Sequence, residues 1–175
     1  YQSNSSITAL ADGGFVVAWN SNSQDGGSSF SYSVYAQMYN ADGTTQGSEL
    51  QVNTNTFTEN AQTDPSITAL TDGGFVVTWT SSHGGIIYVQ MYNADGTTQG
   101  SKFQVKIIAS TQSNSSVTTL TDGGFVVTWQ SSDGDGWGIY AQRYDSEGNP
   151  FGEAILNPIL ILSSNIIDQT SNEDS

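Results

Sequence analysis

Apolar residues in this chain fall in short runs of strand length. The plainest run is FVVTW at 75–79, bounded by Gly73 and Gly74 on one side and a Ser/Gly-rich stretch on the other. β-branched and aromatic side chains at such density favour a strand. Phe75, Val77 and Trp79 fall on one face, with Val76 and Thr78 on the other. Both faces are largely apolar, as expected of a strand covered from both sides. A second run, 87–92, sets Tyr88, Gln90 and Tyr92 against Ile87, Val89 and Met91. No stretch sustains an apolar period of 3.6 residues, so no helix of note is expected. The pattern predicts strands over 66–70, 75–79, 87–92 and 103–105. The intervening turns are Asp-Gly-Gly and Asn-Ala-Asp-Gly, in which Gly tolerates positive φ.

The same four-strand pattern occurs three times. LTDGGFVVTW stands at 70–79 and 120–129, with LADGGFVVAW at 10–19. MYNADGTTQGS stands at 38–48 and 91–101, and its third copy has drifted to RYDSEGNPFGE at 143–153. The copies span about 1–53, 54–107 and 108–157, followed by a departing segment, 158–175. First strands are expected at 6–10, 66–70 and 116–120, third strands at 34–39, 87–92 and 139–144. Fourth strands are expected at 50–52, 103–105 and 154–156.

A four-stranded antiparallel unit of roughly 50 residues matches a β-propeller blade. The expected fold is therefore all-β, a propeller-like array of three blades. The alternative is a β-trefoil, which three such units complete. Three blades are fewer than the four to eight of a closed propeller. Closure would need a second copy, a longer array, or head-to-tail growth into a filament. Exposed strand edges at both ends would favour such pairing. A homo-oligomer or filament is the expected state. The apolar residues Ile159, Leu160, Ile161 and Leu162 are candidates for a strand donated to a neighbouring subunit. The alternative is a thirteenth strand packed on its own domain.

Charge narrows the choice of partner. Three cations, Lys102, Lys106 and Arg143, stand against 17 acidic residues, for a formal charge of −14. Such a chain lacks the basic footprint of a nucleic-acid binder and is repelled by an anionic membrane surface. Its longest apolar stretch, 155–162, is too short to span a bilayer and is interrupted by Asn157 and Pro158. Without cysteine it can form neither disulfide nor thiolate metal site. An acidic, Cys-free, Asp/Gly/Asn/Thr-rich composition fits bacterial secreted and cell-surface proteins. The first residue is Tyr1, not Met, which reads as a segment of a longer precursor.

Candidate chemistry is sparse. Asp12, Asp72 and Asp122 sit in Asp-Gly-Gly turns and Asp42 and Asp95 in Asp-Gly turns, where turn geometry accounts for them. Asp133 and Asp135, in a Gly-rich loop, could offer carboxylates to Ca²⁺. The equivalent loop of the first copy keeps only Asp25 and that of the second none, so no calcium site runs through all repeats. The Tyr-x-Gln-x-Tyr face recurs in every copy; it could bind a sugar, but its regularity favours a structural role in which each Gln satisfies backbone groups between adjacent sheets. Trp137, expected on an exposed loop, and Tyr32 are candidate glycan or subunit contacts. His83 is the single histidine and no Gly-x-Ser-x-Gly elbow occurs, so no catalytic set is visible and a non-enzyme is expected.

The ordered set DGGFVVTW, SSDGDGWGIYAQRYD and FQV resembles a tandem repeat of very large secreted bacterial proteins, which often carry hemolysin-type (RTX) calcium-binding or cadherin-like modules. The resemblance covers 1 to about 157. It implies a propeller-like β architecture, export, and a surface or matrix role. Together these features point to an extracellular structural or adhesive module that self-associates. The alternatives are a carbohydrate-binding module and a calcium-dependent surface adhesin.

Overall fold

A computed structural model describes residues 1–22, 24, 32–53, 61–105, 111–132 and 136–156. Among these lie twelve strands and no helix. The first repeat folds into β1 (Gln2–Ala9), β2 (Phe15–Asn22), β3 (Tyr32–Tyr39) and β4 (Thr45–Gln51). The second gives β5 (Gln62–Ala69), β6 (Phe75–Ser81), β7 (Ile86–Tyr92) and β8 (Thr98–Gln104). The third gives β9 (Gln112–Thr119), β10 (Phe125–Ser132), β11 (Trp137–Tyr144) and β12 (Pro150–Leu156). Each repeat is a separate four-stranded antiparallel sheet with its strands in sequence order. A trefoil would pair strands of different repeats in a closed barrel; here every ladder stays within one repeat.

The Asp-Gly-Gly turns divide their work between the two glycines. Gly13, Gly73 and Gly123 adopt φ near +90°, which a side chain resists. Gly14, Gly74 and Gly124 are needed for space instead. A Cβ on Gly74 would lie 2.2 Å from the Tyr92 carbonyl oxygen, and one on Gly14 or Gly124 2.4 Å from Tyr39 or Tyr144. The preceding Asp closes the turn by accepting from the second glycine's N–H, at 2.9 Å for Asp72 and Gly74.

First strands begin about four residues earlier than the apolar pattern predicts, because their leading halves are polar. Each carries a bulge at a left-handed Asn or Asp: Asn4, Asp64 and Asn114. These types tolerate positive φ better than most. Fourth strands also begin earlier, at Thr45, Thr98 and Pro150. Their register corrects the third copy by one residue: Leu50 pairs with Ala36, Phe103 with Val89, and Ile155 with Ala141. Ile155, not Ala154, is therefore the counterpart of Leu50.

The three sheets stack face to face, with β1, β5 and β9 adjacent on the inner side. Side chains of one first strand serve the backbone of the next. Ser6 Oγ accepts from Ile67 N at 3.3 Å, and Ser66 Oγ accepts from Val117 N at 3.2 Å. Two apolar cores lie between the sheets. One joins Val16, Ala18, Val34, Ala36 and Met38 of the first sheet to Phe75, Val77 and Trp79 of the second. The other joins Val76, Ile87, Val89 and Met91 of the second to Phe125, Val127, Trp129, Tyr140 and Tyr144 of the third.

Candidate assembly interface

Each inter-sheet core mates two unlike faces. One face is aromatic: Phe75, Val77, Trp79, Tyr88 and Tyr92, or in the third sheet Phe125, Val127, Trp129, Tyr140 and Tyr144. Its rings pair across β strands, Phe75 on Tyr92 with centroids 4.8 Å apart and Phe125 on Tyr144 at 5.1 Å. Burial in this core pushes the Tyr92 phenol above its ordinary pKa. The other face is mainly aliphatic: Val16, Ala18, Val34, Ala36 and Met38, or in the second sheet Val76, Thr78, Ile87, Val89 and Met91.

Position in the stack decides which of these faces is covered. The central strand β6 is buried along its whole length. In β2, Val16, Ala18 and Asn20 are buried while Phe15, Val17 and Trp19 are only half-buried. β10 shows the opposite parity: Phe125, Val127 and Trp129 are buried, Val126, Thr128 and Gln130 half-buried. Near-identical strands thus differ in burial only because neighbours differ. Among the described residues no further sheet covers the aromatic face of the first sheet, on which Tyr35 and Gln37 are nonetheless buried, or the aliphatic face of the third. Ile7 is 64% exposed, against 6% for Ile67 and 7% for Val117. Ile139 is 50% exposed, while Val34 and Ile87 are fully buried. Phe151 and Ile155 stand on the same open side of the third sheet and are exposed.

One substitution marks the open aliphatic face. Met38 and Met91 each rest against the next sheet's Asp-Gly or Glu-Gly turn. Their sulfurs lie 3.0 Å from where a Cβ on Gly96 or Gly148 would stand. The third copy holds Arg143 at this position, paired with Asp122 and lying over the Phe151 ring at 4.4 Å. The first sheet's equivalent glycine, Gly43, has nothing within 4 Å of a built Cβ. Beside it, Asp42 accepts hydrogen bonds from the Thr44 hydroxyl and N–H, which hold its carboxyl below the usual range.

The open aromatic face also forms a groove of about 520 Å³, lined by Val17, Trp19, Gln37, Tyr39 and Glu49 with the start of β1. The glutamine of the Tyr-x-Gln-x-Tyr face serves its own sheet, not a neighbouring one. Gln90 Nε2 donates to the carbonyls of Met91 at 2.9 Å and Gly100 at 3.2 Å, and Gln37 and Gln142 repeat the arrangement. These bonds satisfy carbonyls where the ladder between third and fourth strands is interrupted. No spacing rule distinguishes such a role from an inter-sheet one.

Trp137 is not a loop residue. It opens β11 opposite Ser132, 62% exposed, on the open face with Ile139 and Arg143. Tyr32 holds the equivalent place at the start of β3, opposite Asn22, and is half-buried. The two candidates thus lie on different sheets at matching positions and do not form one site. Asp133, Asp135, Ile159, Leu160, Ile161 and Leu162 lie outside the described residues. His83 sits in the turn between β6 and β7. Among the described residues, no group of three or more His, Cys, Asp or Glu is placed to hold a metal.

Three stacked four-stranded antiparallel sheets, one per repeat, define an all-β repeat array. No family model and no curated protein sequence matches the chain. Solved structures do share the architecture. A Dyadobacter fermentans protein of unknown function matches with TM-score 0.62 and 11% identity, over 85% of this chain and 52% of that one. A Hadza microbial sialidase matches with TM-score 0.61 and 14% identity, over 87% of this chain and 38% of that one. An endo-arabinase from Bacteroides thetaiotaomicron gives 0.47 and 15%, over 82% and 58%. The chain thus spans about half or less of the two structures it matches best among these, and the likeness is one of fold.

Proposed function

We propose that this chain is a non-catalytic structural or adhesive repeat module that self-associates through its two open sheet faces. The observation that carries this is the opposed burial of β2 and β10. Each end of the stack presents the half of an interface that the interior uses twice. Ile7 and Ile139 stand exposed where their counterparts in the other two copies are buried, and the two faces that carry them are of complementary kind. One histidine and no cysteine in the whole chain leave no His–Cys or multi-His catalytic set, and the proposal takes the carboxylates as turn residues. The sialidase's activity is that protein's own and does not pass to this chain at 14% identity. Export to a bacterial surface is part of the proposal, supported by the acidic, Cys-free composition. Size-exclusion chromatography with light scattering tests association. The wild type should exceed monomer mass at micromolar concentration, and Trp19→Lys, which places a charge in the open aromatic face, should return it to monomer. A wild type that stays monomeric throughout contradicts the proposal.

A second role is favoured by the groove over Trp19 and Tyr39. An aromatic floor rimmed by Gln37 and Glu49 has the make-up of a carbohydrate subsite. Glycan-array binding that disappears in Trp19→Ala while the protein remains monomeric would favour that role over assembly.

A further inference from the structure

We infer that the groove over Trp19 and Tyr39 takes a sugar carrying a protonated amine, with Glu49 as its counter-charge. This rests on the second role proposed above, a carbohydrate subsite, and specifies the ligand's charge and chemical class.

One charge reverses between the first two copies. MYNADGTTQGSE at 38–49 becomes MYNADGTTQGSK at 91–102, so Glu49 stands where the second copy has Lys102. The ladders agree, since Tyr35 pairs with Gln51 and Tyr88 with Gln104. Lys102 Nζ lies 5.0 Å from the centroid of the Tyr88 ring, which itself stacks on Trp79 at 5.7 Å. The second sheet thus holds an ammonium of its own over the aromatic face, where the ring quadrupole attracts it. The first sheet keeps the same aromatic set, Trp19 on Tyr35 at 6.4 Å and Phe15 on Tyr39 at 4.9 Å. It has a carboxylate in place of the ammonium. Residues 1–53 contain Asp12, Asp25, Asp42 and Glu49 but no Lys, Arg or His. Glu49 accepts a hydrogen bond from Gln24 Nε2, a neutral donor, so its charge is not matched within the repeat.

The rest of the groove decides what carries the amine. Its volume of about 520 Å³ is that of a small-molecule site. Trp19 and Tyr39 supply aromatic surface, while Gln2, Ser3, Asn4 and Thr45 line the remainder. These are neutral hydrogen-bonding groups, suited to hydroxyls. One carboxylate among them suits one ammonium. A lysine side chain would match Glu49 but leave the neutral groups without partners. An acidic sugar would meet Glu49 with no cation in the repeat to receive it. The chain's charge of −14 draws cationic ligands toward its surface. The same face carries the assembly proposed above, so sugar and neighbouring sheet exclude one another.

Tryptophan emission reads the site, because Trp19 lines the groove. The probes are a glucosamine tetramer (chitosan type) and its fully N-acetylated counterpart (chitin type). They are titrated into dilute, monomeric protein at about pH 6, where an amine is protonated. The amine form should bind about fivefold more tightly, the upper range for an exposed ion pair, and added salt should shrink that preference. Glu49→Gln should remove the preference, and Glu49→Lys, which installs the second copy's residue, should abolish binding of the amine form; circular dichroism checks folding. Glu147→Gln, the same change in the third sheet, should leave the preference intact. An equal loss in Glu147→Gln would overturn the site in favour of general charge attraction. Equal binding of the two tetramers would overturn the amine and keep the carbohydrate subsite, whereas binding of neither would overturn both. Tetralysine binding as tightly as the glucosamine tetramer would overturn the sugar and leave a basic peptide as the occupant.

Discussion

The three equivalent tryptophans offer one substitution in three environments. Trp79 is fully buried and Trp129 1% exposed, whereas Trp19 lies half-buried in the open groove. A buried Trp withdraws roughly 200 Å² from water, which at about 25 cal/mol per Å² amounts to about 5 kcal/mol. Trp→Ala at positions 79 and 129 should therefore cost about 3–5 kcal/mol. Position 79 should lie at the upper end, because its Nε1–H donates to the buried Gln62 Oε1 at 2.9 Å and that acceptor would be left short. At position 19 the ring is partly solvated and its removal widens an open groove without sealing a cavity, so about 2 kcal/mol is expected. Urea denaturation followed by far-ultraviolet circular dichroism, at a dilution where the wild type is monomeric, should give that order. Trp→Phe variants serve where the Ala variants do not fold. Raising the concentration should widen the gap between wild type and Trp19→Ala, since association stabilises only the former, by about 1.4 kcal/mol at tenfold above the dissociation constant. Equal costs at positions 19 and 79 at limiting dilution would refute the reasoning, because the first sheet's aromatic face would then be covered within one chain.

Other consequences can be checked separately. Gly74→Ala should destabilise by about 3 kcal/mol or more, since its Cβ meets the Tyr92 carbonyl oxygen, whereas Gly43→Ala should cost only the roughly 1–2 kcal/mol of its positive φ; paired thermal melts read the difference. Gln90→Leu keeps volume but strips the carbonyls of Met91 and Gly100 of a donor; a loss of about 1–3 kcal/mol is expected by urea denaturation. Asp42 and Asp95 are held below the usual carboxylate range by the Thr44 and Thr97 hydroxyls and N–H groups, and Asp145 by Asn149. A carboxyl with a depressed folded pKa contributes stability that is present above its unfolded value and is lost as pH falls through the folded one. Thr44→Val and Thr97→Val should thus shift the carboxyl titrations of Asp42 and Asp95 upward by NMR, and the melting-temperature difference from wild type should vanish in strong acid.

Strand types and turns were legible because β-branched and aromatic runs recur with the same turn residues. The leading halves of β1, β5 and β9 were not, since Gln, Ser and Asn carry no apolar signal and the bulges at Asn4, Asp64 and Asn114 break the period. The role of Gln37, Gln90 and Gln142 depends on where the fourth strand is interrupted, a feature of pairing that one strand's residues do not encode. Trp137 was expected on a loop because glycines flank it, yet pairing with Ser132 draws it into β11. The open faces were hidden for a simpler reason. FVVTW at 75–79 and at 125–129 is one sequence, and its burial is set by the number of neighbouring sheets. One trace was present at the residue level: the drift from Met38 and Met91 to Arg143 falls on the face that lacks a neighbour.

The absence of cysteine makes the central claim directly accessible. With Asp42→Cys and Arg143→Cys in one chain, a short thiol-reactive cross-linker should yield a covalent two-chain product on a denaturing gel, and neither single variant should do so appreciably. A double variant that stays single-chain, or single variants that cross-link equally well, would contradict the claim that the third sheet of one copy covers the first sheet of another.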